Sequence, residues 1–245
     1  MNAVYENILE AVSAGEKLLA VLIDPEKTTP HQVPFLFENI QHTPVTHVFL
    51  GGSEVEKGKT DILVKVLKEN TNLPVVLFPG CENQISENAD ALLFLSLLSG
   101  RNPEYLIGKQ VQSVPRLHKT RLEIIPTAYL LIDGGKKTSV QRVSKTEPIK
   151  PSSVDEIVHT ALAGQFLGMK LIYLEAGSGA LQSVPQQVVR EVKKNTNLPL
   201  IVGGGIRTVT GITSAYRAGA DIVVIGTAFE NNPHFFNQLK TVRSS

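Results

Sequence analysis

The chain has 245 residues, of which 42% are hydrophobic and 19% charged, and its formal net charge is +1. This composition excludes a disordered or fibrous chain, and the near-zero charge argues against nucleic acid as the main partner. The single cysteine, Cys81, cannot form an internal disulfide and indicates a reducing compartment. Because neither a secretory signal nor an apolar stretch of membrane-spanning length is found, we expect a cytoplasmic protein with no transmembrane segment and a small-molecule partner.

Eight short apolar runs alternate with mostly amphipathic stretches, which predicts a parallel sheet covered on both faces. The runs are residues 18–23, 47–50, 75–78, 91–98, 122–132, 171–174, 200–202 and 222–225. Eight strands and this chain length are typical of the closed (β/α)₈ or TIM barrel. We therefore predict a single α/β TIM-barrel domain over residues 1–245.

Helical spacing of apolar residues is found before the first run and between several later ones. The predicted helices are residues 5–14, 60–70, 152–167, 183–195 and 208–218. The polar stretch 136–151, after the fifth run, is predicted to be a long loop. Such a loop is either a functional lid or a solvated excursion.

The two halves of the chain carry matching segments. At an offset of 125 residues, the matches are 68–74 with 193–199, Gly52-Ser53 with Gly177-Ser178, and Gly80 with Gly205. Ala89-Asp90 matches Ala220-Asp221 at an offset of 131, so the first half is six residues shorter between its third and fourth strands. Residues 81–88 are too few for a crossover helix. We predict a barrel of two similar halves in which a loop replaces the third helix.

Three consecutive strands of the second half end in glycine-rich segments, at residues 173–179, 203–207 and 226–228. Glycine lets backbone amides converge on a phosphate without side chains between them. Reactive groups of TIM barrels lie at this end of the strands. The sequence therefore predicts a phosphate site here, to which Ser178 and Thr227 could add hydroxyl donors.

Two polar residues of the sixth run have a functional and a structural interpretation. The Glu175 carboxylate can bind or deprotonate a substrate hydroxyl, or form a salt bridge with Lys170 or Arg207. Tyr173 is either a core ring or a substrate contact. The residues alone leave both questions open.

An acidic residue, Asp24, closes the first run, and Ser53 follows the second. Oxygen ligands of this kind suit Mg²⁺, although Asp-Pro is also a common turn sequence. Zinc is not indicated because the six histidines are scattered. The motifs of nucleotide-binding loops are also absent from the sequence.

The combined pattern resembles the geranylgeranylglyceryl phosphate synthase family over essentially the whole chain. The residues that carry the resemblance are Asp24-Pro25, Gly51-Gly52-Ser53, the segments 173–179 and 203–207, and Gly226-Thr227. The resemblance implies a barrel that lacks its third helix. It also implies transfer of a prenyl group from geranylgeranyl diphosphate to the 3-hydroxyl of sn-glycerol 1-phosphate, which yields an ether lipid precursor.

Carried onto this sequence, the resemblance implies Mg²⁺ on Asp24 and Ser53, and Glu175 and Tyr173 as catalytic residues. The implied glycerol phosphate site comprises Tyr173, Leu174, Glu175, Ala176, Gly177, Ser178, Gly179, Gly204, Gly205, Gly226 and Thr227. A homo-oligomer, either a dimer or a hexamer, is also implied. The prenyl chain is expected beside the missing helix, with Phe78, Leu92, Phe94 and Tyr129 as candidate lining.

Two other classes keep the phosphate site. One is a phosphate-binding barrel such as an aldose-phosphate isomerase, an epimerase or a lyase, which has no need of Asp24 with Mg²⁺. The other is a non-catalytic sugar-phosphate-binding protein, which would tolerate loss of Glu175.

Overall fold

The computed structural model describes residues 4–226 and 235–240, and its eight strands form a closed barrel. The strands are β1 (Leu18–Ile23), β2 (His47–Leu50), β3 (Val75–Leu77), β4 (Ala91–Leu97), β5 (Glu123–Leu131), β6 (Leu171–Glu175), β7 (Leu200–Gly203) and β8 (Ile222–Ile225). Each strand pairs in parallel with the next, and β8 pairs with β1. The TIM-barrel prediction is therefore confirmed.

The helices lie outside this ring, apart from the first. They are α1 (Val4–Ser13), α2 (Val33–Ile40), α3 (Lys59–Asn70), α4 (Lys109–Leu117), α5 (Ser139–Ser144), α6 (Val154–Phe166), α7 (Gln186–Asn195), α8 (Val209–Ala218) and α9 (Phe235–Leu239). Val4 and Ile8 of α1 pack against the residues inside the barrel. The Glu123 carboxylate accepts hydrogen bonds from the amides of Val4 and Tyr5, at 2.5 and 3.2 Å, and so holds the start of α1 against β5.

The strands are buried on both faces, as their nearly continuous apolar sequences predict. In β1, Leu18 and Ala20 belong to the cluster inside the barrel, whereas Leu19 and Val21 belong to the cluster between strands and helices. This alternation follows from the two-residue repeat of a strand. It gives the fold two apolar layers, with the open carboxyl ends of the strands above them.

The third crossover has no helix, as the internal repeat predicts. Between β3 and β4 the chain forms a short turn of 3₁₀ helix, Glu82–Gln84, inside an otherwise irregular loop. The other crossovers of the barrel each carry at least one α-helix within the described residues. One side of the barrel is therefore covered only by this loop and by neighbouring elements.

The repeat is also visible as a duplicated hydrogen-bond pattern. In the first half, the Asp90 carboxylate accepts hydrogen bonds from Lys68 Nζ and from the amide of Val75, at 2.8 and 2.7 Å. In the second half, Asp221 accepts the equivalent bonds, at 2.6 Å from Lys193 Nζ and 2.8 Å from the amide of Leu200. The two halves thus use the same residues to join a helix to the start of the following strand.

Four helices differ from the prediction. Helix α5 lies inside the stretch 136–151 that was predicted to be a loop, and it begins where the Thr138 hydroxyl accepts a hydrogen bond from the amide of Gln141. Helices α2 and α4 were not predicted. The predicted helix 183–195 is shorter at its start, because residues 183–185 precede α7.

Candidate active site

A cavity of about 320 Å³ opens at the carboxyl ends of the strands. Residues from both halves of the barrel line it. Those predicted from the sequence are Asp24, Ser53, Glu175, Gly177, Ser178, Gly179, Gly204, Gly205 and Gly226. Three predicted residues are not among its lining: Tyr173 belongs to the cluster inside the barrel, and Leu174 and Ala176 belong to the layer between strands and helices. Thr227 falls outside the described residues.

The Glu175 carboxylate is the central charged group of this cavity. The side chain is buried, and burial raises the pKa of the carboxyl to about 7, although the amide of Gly177, which donates to Oε1 at 2.7 Å, acts in the opposite direction. Within the described residues Glu175 forms no ion pair. A carboxylate with a pKa near neutrality can accept a proton from a hydroxyl group at physiological pH.

The salt-bridge alternative for Glu175 is wrong. Arg207 instead donates to the carbonyl oxygens of Ala180 and Leu181, and the Lys170 ammonium lies 4.9 Å from the ring centre of Tyr5. Arg207 thus holds the loop that follows β6. Glu175 is left facing the cavity with backbone amides as neighbours.

Glycines at the ends of β6 and β7 let the two chain segments meet around this carboxylate. A Cβ atom at Gly203 would lie 2.7 Å from Glu175 Oε2, and one at Gly204 would lie 2.3 Å from Oε1. Gly204 and Gly177 also have positive φ angles, of 80° and 96°. A larger residue at either position would displace the carboxylate or strain the backbone.

Uncommitted amides surround the cavity beside Glu175. Among the residues that the structure describes, four backbone N–H groups donate to no protein acceptor. They belong to Ser178, Gly179, Gly204 and Gly205. Such a group of free donors is the arrangement that binds a phosphate in other proteins. This cluster joins the ends of β6 and β7, as the glycine pattern predicts.

The structure places Tyr173 in the core, directly beneath Glu175. Its ring is fully buried inside the barrel, stacked on Phe78 with centroids 5.2 Å apart and edge-on to Tyr129 at 5.4 Å. Its hydroxyl lies close enough to the Glu175 carboxylate to lower the pKa of that group, but forms no hydrogen bond of regular geometry among the described residues. A buried hydroxyl without a partner costs free energy, so this group is available to a ligand that enters the cavity.

Asp24 and Ser53 meet across the ends of β1 and β2. Asp24 forms the turn expected for Asp-Pro, since Oδ1 accepts a hydrogen bond from the amide of Glu26 at 3.0 Å. A Cβ atom at Gly52 would lie only 2.8 Å from the same oxygen, so the backbone before Ser53 passes directly beside the carboxylate. One half-buried carboxylate and one hydroxyl make an incomplete donor set, which suits Mg²⁺ because this ion keeps waters and substrate phosphate as further ligands.

No group of three or more His, Cys, Asp or Glu side chains within residues 4–226 and 235–240 could hold a metal ion. A site at Asp24 therefore depends on ligands that are not protein side chains of these types. Asp24 also lies 3.8 Å from the Lys27 ammonium. Both features favour a site completed by an anionic substrate.

The cavity continues over the open third crossover as an apolar wall. All four candidate lining residues, Phe78, Leu92, Phe94 and Tyr129, contribute to it. Cys81, half-buried and free, lies at its edge. The lining also includes residues that were not singled out from the sequence, which are Tyr105, Lys109, Gln110 and Ser113 near α4, and Val140 and Val143 of α5.

Comparison with known proteins agrees with this geometry. A family model described as the PcrB family matches residues 13–244. A geranylgeranylglyceryl phosphate synthase of Flavobacterium johnsoniae is 54% identical over 237 residues, which are 97% of this chain and 98% of that protein. One of Pyrococcus furiosus is 44% identical over 217 residues, which are 88% and 86% of the two chains.

The chain belongs to the PcrB family of geranylgeranylglyceryl phosphate synthases.

Solved structures extend the comparison to three dimensions. The (S)-3-O-geranylgeranylglyceryl phosphate synthase of Thermoplasma acidophilum, in complex with substrate sn-glycerol-1-phosphate, matches this PcrB family member with a TM-score of 0.91 at 36% identity, over 98% of this chain and 96% of that one. A thiamine phosphate pyrophosphorylase from Pyrococcus furiosus, at 11% identity and a TM-score of 0.58, shares the fold alone. The family resemblance seen in the sequence is confirmed.

Within the described residues, no helix has both the length and the hydropathy needed to cross a bilayer.

Proposed function

We propose that this chain transfers a geranylgeranyl group from geranylgeranyl diphosphate to the 3-hydroxyl of sn-glycerol 1-phosphate, with Mg²⁺ as cofactor. The products are geranylgeranylglyceryl phosphate, an ether lipid precursor, and diphosphate. The observation that carries the proposal is that one cavity joins a buried carboxylate and free amides to Asp24 and an apolar wall. The activity named for the relatives, and the bound sn-glycerol-1-phosphate of the Thermoplasma acidophilum enzyme, support it.

In this proposal, the glycerol phosphate lies over the ends of β6, β7 and β8. The phosphate accepts hydrogen bonds from the free amides after β6 and β7. The site comprises residues 173–179 with Gly204, Gly205, Gly226 and Thr227. The glycerol hydroxyls then point towards Glu175 and the unpartnered hydroxyl of Tyr173.

Glu175 orients the attacking 3-hydroxyl and accepts its proton. As the new bond forms between the glycerol oxygen and the first prenyl carbon, the allylic carbon–oxygen bond breaks and its electron pair leaves with the diphosphate. The raised pKa of Glu175, about 7, suits a group that takes up this proton. Tyr173 fixes the substrate by a hydrogen bond that replaces none in the protein.

Asp24 and Ser53 would hold Mg²⁺ at the opposite side of the cavity. When bound, the ion supplies positive charge that stabilises the departing diphosphate. The glycine-rich turn after β2 lets the diphosphate approach Asp24 closely, since Gly52 has no side chain between them. The prenyl chain lies along the apolar wall beside the third crossover.

The wider properties of the protein follow from the same assignment. We propose one domain over residues 1–245, a homo-oligomeric assembly and a cytoplasmic location. The one half-buried free cysteine, Cys81, is compatible with a reducing compartment.

The decisive experiment incubates purified protein with Mg²⁺, labelled sn-glycerol 1-phosphate and prenyl diphosphates of several lengths. We expect a lipid-extractable phosphate, formed most rapidly with the geranylgeranyl donor and lost when Mg²⁺ is chelated. Replacement of the acceptor by its mirror-image isomer, sn-glycerol 3-phosphate, is the matched control. Absence of product with every donor would contradict the proposal and return attention to a phosphate-binding isomerase or a non-catalytic binding protein.

A further inference from the structure

The loop that replaces the third helix contains one buried glutamine, Gln84, which contacts the turn after β2. Only 1% of Gln84 is exposed. Its Oε1 accepts a hydrogen bond from the amide of Gly52 at 3.1 Å, and its Nε2 donates to the carbonyl oxygen of Gly52 at 2.7 Å. A single side chain thus satisfies both backbone groups of a residue 32 positions away and fixes its orientation as well as its place.

Gly52 is the point at which three strand ends meet. A Cβ atom at Gly52 would lie 2.8 Å from Asp24 Oδ1, at the end of β1. A Cβ atom at Gly80, after β3, would lie 2.5 Å from the carbonyl oxygen of Gly52 and 2.7 Å from that of Ser53. The backbone here has no room to move towards Gly80, and Gln84 prevents it from moving away. The hydrogen bonds of Gln84 therefore determine where Ser53 lies relative to Asp24.

The loop itself is anchored to helix α3. Ser86 donates to Asp61 Oδ1 at 2.6 Å, and Asn88 donates to the same oxygen at 3.1 Å. Gln84 is therefore held from outside the cavity, by a helix that does not line it. Its amide can transmit this rigidity to the turn after β2 without contributing charge or contacting a ligand.

From this arrangement we propose that Gln84 is a positioning residue for the Asp24–Ser53 site, acting through the backbone of Gly52. The inference rests on the proposed function of that site, in which the two residues hold Mg²⁺ and the diphosphate. A loop takes the place of a helix at this crossover. Within that loop, the side-chain amide of Gln84 supports the turn after β2.

The variants Gln84→Met and Gln84→Asn test the proposal. Methionine keeps the length and removes both hydrogen bonds, whereas asparagine keeps the amide on a chain one methylene too short to make both. The control is Thr196→Val, which removes a buried side-chain hydrogen bond at the end of α7, remote from the loop and from Gly52. Correct folding of each variant is checked by thermal unfolding and circular dichroism.

Binding is measured with Mn²⁺ as a paramagnetic probe, in the presence of inorganic pyrophosphate, by electron paramagnetic resonance. We expect both Gln84 variants to bind Mn²⁺ at least about 10-fold more weakly, as is usual when a residue supporting a metal ligand is removed. Binding of sn-glycerol 1-phosphate, measured by calorimetry, should be unchanged. In activity assays, the KM for the prenyl diphosphate should rise while that for sn-glycerol 1-phosphate stays constant.

Several outcomes would overturn the proposal. They are Mn²⁺ binding equal to that of the unchanged protein, equal loss in Thr196→Val, joint loss of sn-glycerol 1-phosphate binding, or failure of both Gln84 variants to fold. Mn²⁺ binding that weakens as expected in a protein that makes no lipid with any donor would support the role of Gln84 and contradict the proposed function. The unchanged protein's failure to bind Mn²⁺ would contradict both.

Discussion

At the scale of single residues, the cavity depends most on the environment of Glu175. Burial of this carboxyl raises its pKa from 4.5 to about 7, although the amide hydrogen bond from Gly177 acts in the opposite direction. Burial therefore keeps the group in the range where it changes protonation state at neutral pH. Two predictions follow, one for the rate and one for the stability.

The first prediction concerns the dependence of the rate on pH. Glu175 must be ionised to accept the proton, so kcat/KM should rise as the pH passes through about 7 and level off above it. Glu175→Gln should remove this rise and lower the rate by about 10²- to 10⁴-fold. Initial rates of lipid formation between pH values below and above 7 provide the measurement. A wild-type profile that is flat across this range would contradict the role of base.

The second prediction is that Glu175→Gln stabilises the protein in mild alkali. Because the pKa is higher in the folded than in the unfolded state, the folded state binds more protons between 4.5 and 7, and stability is lost as the pH rises through 7. Glutamine carries no charge, and its side-chain oxygen can still accept the hydrogen bond from the Gly177 amide. We expect a gain of about 1–3 kcal/mol at pH 8 from urea unfolding, and none at pH 4. A loss of stability at pH 8 would mean that the carboxylate is better solvated than its burial indicates.

The sequence identified Glu175 and Tyr173 but could not decide their roles. The choice depended on what lay near them, and Arg207 and Lys170 proved to be engaged elsewhere. For Gln84 the sequence offered no signal, since a glutamine in a polar loop is ordinary. Only the distances to Gly52, a residue remote in the chain, distinguish it.

At the scale of elements, the strand ends were predictable and some helices were not. Glycine-rich ends of β6 and β7 were read correctly because the backbone there needs positive φ angles and close approach. Helix α5 has six residues, which is too short for a periodic pattern to show. The stretch that was predicted to be a loop is therefore a loop that contains one short helix with a capped start.

Helix α4 was missed for a different reason, because its apolar pattern is reversed. The buried residues are Gln110 and Ser113, whereas Val111 and Val114 are exposed. Gln110 donates to the carbonyl oxygen of Leu95, and Ser113 to that of Gln110. The bond from Gln110 joins α4 to β4, whereas that from Ser113 stays within the helix. Both buried positions are thus polar, and no rule based on apolar periodicity detects such a helix.

The loop after β6 allows the third prediction, which compares two glycines. Gly177 has a φ of 96°, and a Cβ atom there would lie 2.1 Å from Thr138 Cγ2. Gly168 has a similar φ of 86°, but a Cβ atom would meet nothing within 4 Å. Gly168→Ala should therefore cost only the backbone strain, about 1 kcal/mol.

Gly177→Ala should cost more, about 2–4 kcal/mol, because steric overlap is added to the strain. It should also weaken binding of sn-glycerol 1-phosphate, whereas Gly168→Ala leaves that binding unchanged. Urea unfolding and calorimetry measure the two effects. Equal destabilisation by both substitutions would show that the loop adjusts freely around Thr138.

At the scale of the whole molecule, the fold consists of two similar halves, as the internal repeat of the sequence predicts. The offset between matching segments changed from 125 to 131 residues at the third crossover, and the missing helix is found there. The two halves are also equivalent in their hydrogen bonds, which the sequence match alone does not show. The same lysine, aspartate and strand amide are bonded in both halves.

The fourth prediction uses this duplication. Asp221 is 5% exposed and also lies 3.8 Å from Lys17, whereas the Asp90 side chain is 20% exposed. Asp221→Ala should lower the free energy of unfolding by about 2–3 kcal/mol, because the half-buried Lys193 and the buried Leu200 amide lose their acceptor. Asp90→Ala should cost less, about 1–2 kcal/mol.

Since the two aspartates share no partner, the double variant should be destabilised by the sum of the two losses, within about 0.5 kcal/mol. Urea unfolding of the four proteins completes the cycle. If the double variant loses much more free energy of unfolding than this sum, the two halves fold as one strongly coupled unit.

The open third crossover separates two properties that evolve under different constraints. The interior of an eight-stranded barrel is filled by side chains and has no space for a long hydrocarbon. In the proposed enzyme the tail lies beside the barrel, along a wall formed partly by α4 and α5, while bond making occurs at the strand ends. Substitutions along that wall can therefore alter which donor is accepted without disturbing the reacting groups, so a lineage can change the lipid it makes while conserving its chemistry.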